Sequence, residues 1–248
     1  MDHFGVVEWV VFVFAVTLAF AVRGGAGFGG GVVIVPLLAL IAPLQTVVPA
    51  TSALNTLSGI TEGLRTWRRV EWREMARIMP FAIIGVIAGV WLLTRIDPKP
   101  LSRFLGVFIM LYAAYMLKSK GVMPQIPKRF LTPLAAVLSF SAGVMGSLFG
   151  GAAGPLYAMY LSALNIARDR FRATMTMLML TLGGARIIGF FLAGMYTKTV
   201  LLLLLAGIPL MLLGGYLGAR LVQRFDQQRF NTLVGCILLA SGALLVFK

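Results

Sequence analysis

The stretch TVLLLLLAGIPLMLLGGYLGARLV, residues 199–222, contains a single charge. At about 1.5 Å of rise per residue, a helical run of that length crosses the ~30 Å hydrocarbon layer of a bilayer. Similar apolar runs fall at 7–22, 32–44, 50–66, 76–95, 100–118, 130–147, 151–165, 171–195 and 227–247, with short polar loops between them. Only 12% of the residues are charged, where a soluble domain carries about 25%. The pattern predicts an all-α polytopic membrane protein embedded in the lipid bilayer. The formal charge of +14 does not point to nucleic acid, because the basic residues gather in loops between apolar runs. The single cysteine excludes a disulfide framework and a cysteine-based zinc site. The opening MDHFGVVEWV has no basic n-region, so it does not read as a cleavable signal peptide.

The chain repeats itself. Pro80, Gly85, Gly89, Arg95, Asp97 and Gly106 recur at a constant offset as Pro209, Gly214, Gly218, Arg224, Asp226 and Gly235. At a second offset, Gly27, Gly31 and Pro36 recur as Gly146, Gly150 and Pro155; shifted by four more positions, Ala50-Thr51 matches Ala173-Thr174. Residues 1–118 therefore form a first repeat and residues 130–248 a second, joined by a linker at 119–129.

Lysine and arginine orient the repeats. If each half crosses the membrane an odd number of times, loops 65–77, 118–129, 168–172 and 220–229 share one side and hold fifteen basic residues. Arg95, Lys99, Arg103, Lys198 and Lys248 then lie on the other. An even number of crossings spreads the charges almost equally. The positive-inside rule selects the first arrangement. It predicts two inverted repeats, with the linker cytoplasmic and both termini outside. Each repeat is a broken or re-entrant helix pair plus three transmembrane helices. The pair is either two crossings or a hairpin that dips in and returns. The shortness of runs 32–44 and 151–165 favours the hairpin.

Those two short runs adjoin the glycine clusters GGAGFGGG (24–31) and GSLFGGAAG (146–154). The first fits a dinucleotide fingerprint in spelling. However, no Asp or Glu lies between Glu8 and Glu62 to receive a ribose, and the preceding run is of membrane length. No Gly-Lys-Ser/Thr follows for a P-loop. Inside a bilayer, irregular backbone survives only where protein or a water-filled cavity satisfies it. Transporters built from inverted repeats place such breaks at the midplane, with freed helix N-termini turned toward an anion. Gly29, Gly30, Gly31, Gly150 and Gly151 are therefore candidates for holding an oxyanion on bare backbone N–H groups. Close helix packing is the competing reading, and it is preferred for Gly85/Gly89 and Gly214/Gly218.

Arg23 and Arg186 sit within apolar runs, where a charge is costly and marks function. Each faces either a substrate anion or another partner. For Arg186 that partner is Glu62, the one acid within an apolar run; for Arg23 it is the membrane interface. Thr51, Ser52, Asn55 and Thr174 add hydroxyl and amide donors near the breaks, suited either to an oxyanion or to helix–helix hydrogen bonds.

GAGFGGGVVIVPLL, its weaker echo GSLFGGAAGPLY, the basic loop RTWRRVEWRE and the duplicated layout together resemble the sulfite exporter TauE/SafE family, also called the toluenesulfonate uptake permeases. The resemblance spans nearly the whole chain. It implies secondary transport of a small sulfur-containing anion (sulfite, sulfoacetate or another organosulfonate) across a bacterial cytoplasmic (inner) membrane, with no bound cofactor. The coupling ion, proton or sodium, stays open, as do direction and oligomeric state. Two other functions compete. An intramembrane serine enzyme would use Ser147, but the sole histidine is His3 at the terminus. A non-transporting scaffold would not need broken segments in both halves.

Overall fold

The computed structural model describes residues 5–26, 30–118, 131–150, 154–164, 166–221 and 227–247. These residues form ten α-helices: α1 (Val6–Ala26), α2 (Gly30–Ala39), α3 (Leu44–Thr66), α4 (Trp72–Arg95), α5 (Pro98–Lys118), α6 (Leu131–Leu148), α7 (Gly154–Ala163), α8 (Arg168–Leu192), α9 (Lys198–Leu221) and α10 (Gln227–Phe247). A 3₁₀ turn at Trp67–Arg69 links α3 to α4. By length and composition, α1, α4, α8 and α9 are each able to cross a membrane. Their outer faces display large apolar side chains such as Ile87, Trp91, Phe191, Leu205 and Leu212. Such a surface is insoluble in water and matched to lipid tails. The chain is therefore an all-α polytopic membrane protein.

Turn chemistry sets the breaks. Pro43 is extended and starts α3, because a proline disfavours helix in the residue before it but fits the entry to a new one. Pro98 opens α5, where its missing N–H costs nothing. α2 and α7 have 10 residues each, a rise of about 15 Å.

Helix α1 packs on α9, α4 on α6, α3 on α8 and α5 on α10. Exchanging α1–α5 with α6–α10 maps these pairs onto themselves, and maps α3–α9 onto α8–α4. Glycine allows the close approaches. A Cβ at Gly85 would run into the Phe140 carbonyl, and one at Gly89 would lie 2.7 Å from that of Val144. Likewise Gly214 faces the Thr17 carbonyl at 2.5 Å, and Gly218 abuts the carbonyl of Ala21. Both pairs thus serve helix packing. The registers make α1 parallel to α9 and α4 parallel to α6. Gly106 and Gly242 meet each other's backbone from antiparallel α5 and α10, and Gly183 meets Thr56 from antiparallel α8 and α3.

Candidate anion site

Helix α1 carries Arg23 in its last turn, and α2 restarts at Gly30. The start of α2 packs back against the last turns of α1, bringing the carbonyl end of one helix near the amide end of the next. Arg23 donates from Nη1 to Asn55 Oδ1 at 2.9 Å, and Asn55 in turn donates to the Thr51 carbonyl at 2.8 Å. A Cβ at Gly30 would lie 3.2 Å from the Ala19 carbonyl oxygen and 3.3 Å from both Arg23 Cβ and Asn55 Oδ1. Across the guanidinium, a Cβ at Gly59 would lie 2.9 Å from Arg23 Nη2. Arg23, Gly30, Asn55 and Gly59 thus form one cluster from α1, α2 and α3. Gly31 is buried beside it.

The second break ends in Phe149 and Gly150. Phe149 is fully buried and stacks on Phe104 and Phe108 of α5, with ring centroids 5.9 and 6.0 Å apart. Gly150 has φ +57°, a left-handed conformation that costs a side chain about 1–2 kcal/mol. A Cβ there would lie 2.7 Å from Val35 Cγ2 and 3.1 Å from Thr51 Oγ1. The tip of the second half therefore rests on α2 and α3 of the first. Val35 is five positions past Gly30, about 7.5 Å of helix rise. Gly29 and Gly151 lie outside the described residues.

Arg186 is buried in α8, and its Nη1 donates to the Gly146 carbonyl at 2.6 Å, in the last turn of α6. Its Nε has no partner among the described residues. A cavity of ≈ 10 Å³ adjoins the guanidinium, lined by Val86, Ala142, Gly143, Tyr157, Met179 and Leu182. That volume suits about one water and excludes a sulfur oxyanion. Glu62 is exposed on α3, and Arg186 forms no ion pair among those described. Its partner is a freed helix carbonyl and not the acid.

Both arginines thus lie where a broken helix ends. A helix C-terminus concentrates partial negative charge on its unpaired carbonyls, and a cation there is stabilising. With those ends answered, the amides opening α2 and α7 carry the uncompensated positive dipole ends.

The remaining candidates are distributed between the clusters. Thr51 is buried between Gly150 and its own helix, donating to the Val47 carbonyl at 2.8 Å. Ser52 is buried, and its hydroxyl has no partner among the described residues. Thr174 is buried in α8, where its hydroxyl accepts the Glu71 amide at 2.9 Å, and no described contact joins it to Gly30 or Gly150.

Residues 12–245 match the family profile Sulfite exporter TauE/SafE. The chain belongs to that family. This TauE/SafE protein is also 24% identical over 190 residues to the "Probable inner membrane transporter protein TsaS" of Comamonas testosteroni, an alignment covering 76% of this chain and 78% of that one. No solved structure matches it. A TauE/SafE protein is a membrane transporter and not an enzyme. Ser147 fits that assignment, because its buried hydroxyl donates to the Gly143 and Val86 carbonyls between α6 and α4.

One polar group of this TauE/SafE protein has no sequence signal. Tyr160, fully buried in α7, donates to Glu74 Oε2 of α4 at 2.6 Å. In the sequence, LYAMYLS reads as an ordinary aromatic stretch, and Glu74 as one charge in a basic loop.

Proposed function

We propose that this protein moves sulfite, sulfoacetate or another small organosulfonate across the bacterial cytoplasmic membrane by alternating access, holding the anion between its two glycine-rich helix breaks. Residues 1–118 and 130–248 act as inverted repeats, and the linker at 119–129 is cytoplasmic. The family's sulfite-export description and the inner-membrane name of the Comamonas relative support the substrate class and location. The interchange of helix pairs between halves supports the repeats.

The observation that supports the reading is the seat of Gly150 against Val35 of α2 and Thr51 of α3. It brings the end of the second half's first helix onto the two helices that follow the first break, among apolar surroundings where unpaired backbone needs a polar visitor. An oxyanion between them meets the first amides of α2 and α7, including those near Gly29, Gly30, Gly31 and Gly151. Arg23 and Asn55 supply charge and orientation on one side; on the other, Ser52 supplies a hydroxyl donor, and Thr51 supplies a second once its hydroxyl turns from the Val47 carbonyl. Arg186 supports the second break from behind. Where Thr174 lies, it serves the join between α8 and α4.

Purified protein warmed with sulfite, thiosulfate, sulfoacetate, taurine or chloride tests the reading. A bound ligand at 100 times its Kd adds about 2.7 kcal/mol of stability. Sulfite or sulfoacetate should raise the melting temperature while chloride does not. Gly30→Leu should remove that shift and still yield folded protein. A shift that persists in both Gly30→Leu and Gly150→Leu would put the anion elsewhere.

A further inference from the structure

We propose that Tyr160 and Glu74 are the clasp of a gate at the arginine-rich, cytoplasmic end of the protein; the inference rests on the alternating-access reading above. Four observations carry it. First, the Tyr160 hydroxyl meets Glu74 at 2.6 Å, a short charge-assisted hydrogen bond. Arg77 Nη1 donates to both oxygens of the same carboxylate, at 2.9 Å to Oε2 and 3.1 Å to Oε1. Second, the bond joins helices from different halves. Tyr160 belongs to α7, whose opening turn stands at the second break, and Glu74 to the first turn of α4. A force on one end of this ten-residue helix is therefore felt at the other.

Third, the tie has company at the same end. Arg170 of α8 pairs with Glu71 at 2.8 Å, and Asp169 lies 3.8 Å from Arg69. Every ion pair among the described residues lies here. The opposite end, at Ile96 and residues 193–197, has none among them. Among the described residues, ion pairs thus fasten one mouth, whereas the other is tied by a neutral hydrogen bond from Gln45 Nε2 to the Ile96 carbonyl at 3.0 Å. Fourth, Tyr160 is fully buried whereas Arg69 and Asp169 are largely exposed. An exposed pair is worth little, so the clasp is the contact whose loss matters.

In this reading the state described is closed toward the cytoplasm. Release of Tyr160 frees the end of α7 from α4, and Ile78, one turn beyond Glu74 on the same helix face and fully buried, is placed to report the opening. Tyr160 and Glu74 position the gate and do not touch the anion.

The test uses the full-length protein in inside-out membrane vesicles. Cys236 is replaced by serine, because it is exposed. One cysteine is then introduced at Ile78, or at buried Leu93 near the other end of α4. A membrane-impermeant maleimide reports exposure, applied from the cytoplasmic face to Ile78→Cys in these vesicles and from the outer face to Leu93→Cys in right-side-out vesicles. Tyr160→Phe and Glu74→Leu should each raise labelling of Ile78→Cys about tenfold or more, the scale of one charge-assisted hydrogen bond. The double variant should exceed neither single, since both remove the same bond. Asp169→Asn should leave the rate within about twofold. Labelling at Leu93→Cys should stay flat or fall. Unchanged labelling at Ile78 in both folded variants overturns the gate, and so does an equal rise at Leu93, which would mean general loosening. If the clasp variants behave as expected but sulfite alters no labelling rate in the intact clasp, the gate stands and the substrate reading fails.

Discussion

Arg186 of α8 and Gly146 of α6 are joined by a 2.6 Å hydrogen bond from guanidinium to backbone carbonyl. The bond ties the last turn of α6, just before the second break, to α8. The first break is served differently, by Arg23 from the end of α1 itself. Under the repeat alignment, Arg23 corresponds to Ala142 and Arg186 to Gly63. Each half therefore has one guanidinium at its break, delivered from a different helix.

Replacing Arg186 by Met leaves the Gly146 carbonyl buried without its donor. A loss of about 1–3 kcal/mol is expected, read as a lower melting temperature in detergent. Arg186→Lys should recover part of it, because an ammonium reaches one carbonyl but lacks the planar fork. Glu62→Gln should change stability by less than about 0.5 kcal/mol and should not rescue Arg186→Met. Rescue would mean that the acid and not the carbonyl is the partner.

Gly59→Ala intrudes only on the far end of a flexible side chain, Arg23 Nη2 at 2.9 Å. The fold should persist, with a melting temperature near that of the parent. The guanidinium must move, so sulfite affinity should fall about tenfold, the scale of one weakened charge-assisted contact. Isothermal titration on the folded variant measures it, and unaltered affinity would remove Arg23 from the site.

Glycines at packing seats and free glycines should respond oppositely to alanine. Gly218→Ala pushes α9 off the Ala21 carbonyl, an overpacking of about 1–3 kcal/mol. Gly184 has open space where its Cβ would be. Gly184→Ala should therefore be neutral or stabilise by up to about 1 kcal/mol through helix propensity. Thermal melts of the two variants side by side decide this.

Sidedness is tested by labelling introduced cysteines in intact cells. Thr197→Cys, in the turn between α8 and α9, should react from outside. Arg69→Cys should react only after the membrane is permeabilised. The reverse result, or reaction of both from one face, would sink the inverted arrangement.

The helices were legible because lipid demands long apolar runs, and glycine and proline punctuate them. The run read at 32–44 begins and ends earlier, as Gly30–Ala39. Within the run at 151–165 the described helix is Gly154–Ala163. The early end at Ala39 reflects an ambiguity, since apolar turn residues such as Leu40 and Ile41 look like helix. Packing seats at Gly85/Gly89 and Gly214/Gly218 were legible because small residues four apart form a face. The partners of buried charge were not. A sequence offers Glu62 to Arg186 because it displays side chains, whereas the actual acceptor is a carbonyl released by a broken helix. Asn55 and Tyr160 were equally mute about their partners, since nothing in a sequence encodes which distant helix a polar side chain will face.

On the proposed reading, the shortness of α2 and α7 also decides where voltage acts. Each rises about 15 Å, half the hydrocarbon thickness. Were water to reach each break in turn, as alternating access requires, only a thin insulating layer around Gly30 and Gly150 would remain. The transmembrane potential then drops mostly across that layer, as across the plates of a narrow capacitor. An anion slipping from one side of it to the other does nearly all its electrical work there, at about 2.3 kcal/mol per unit charge per 100 mV.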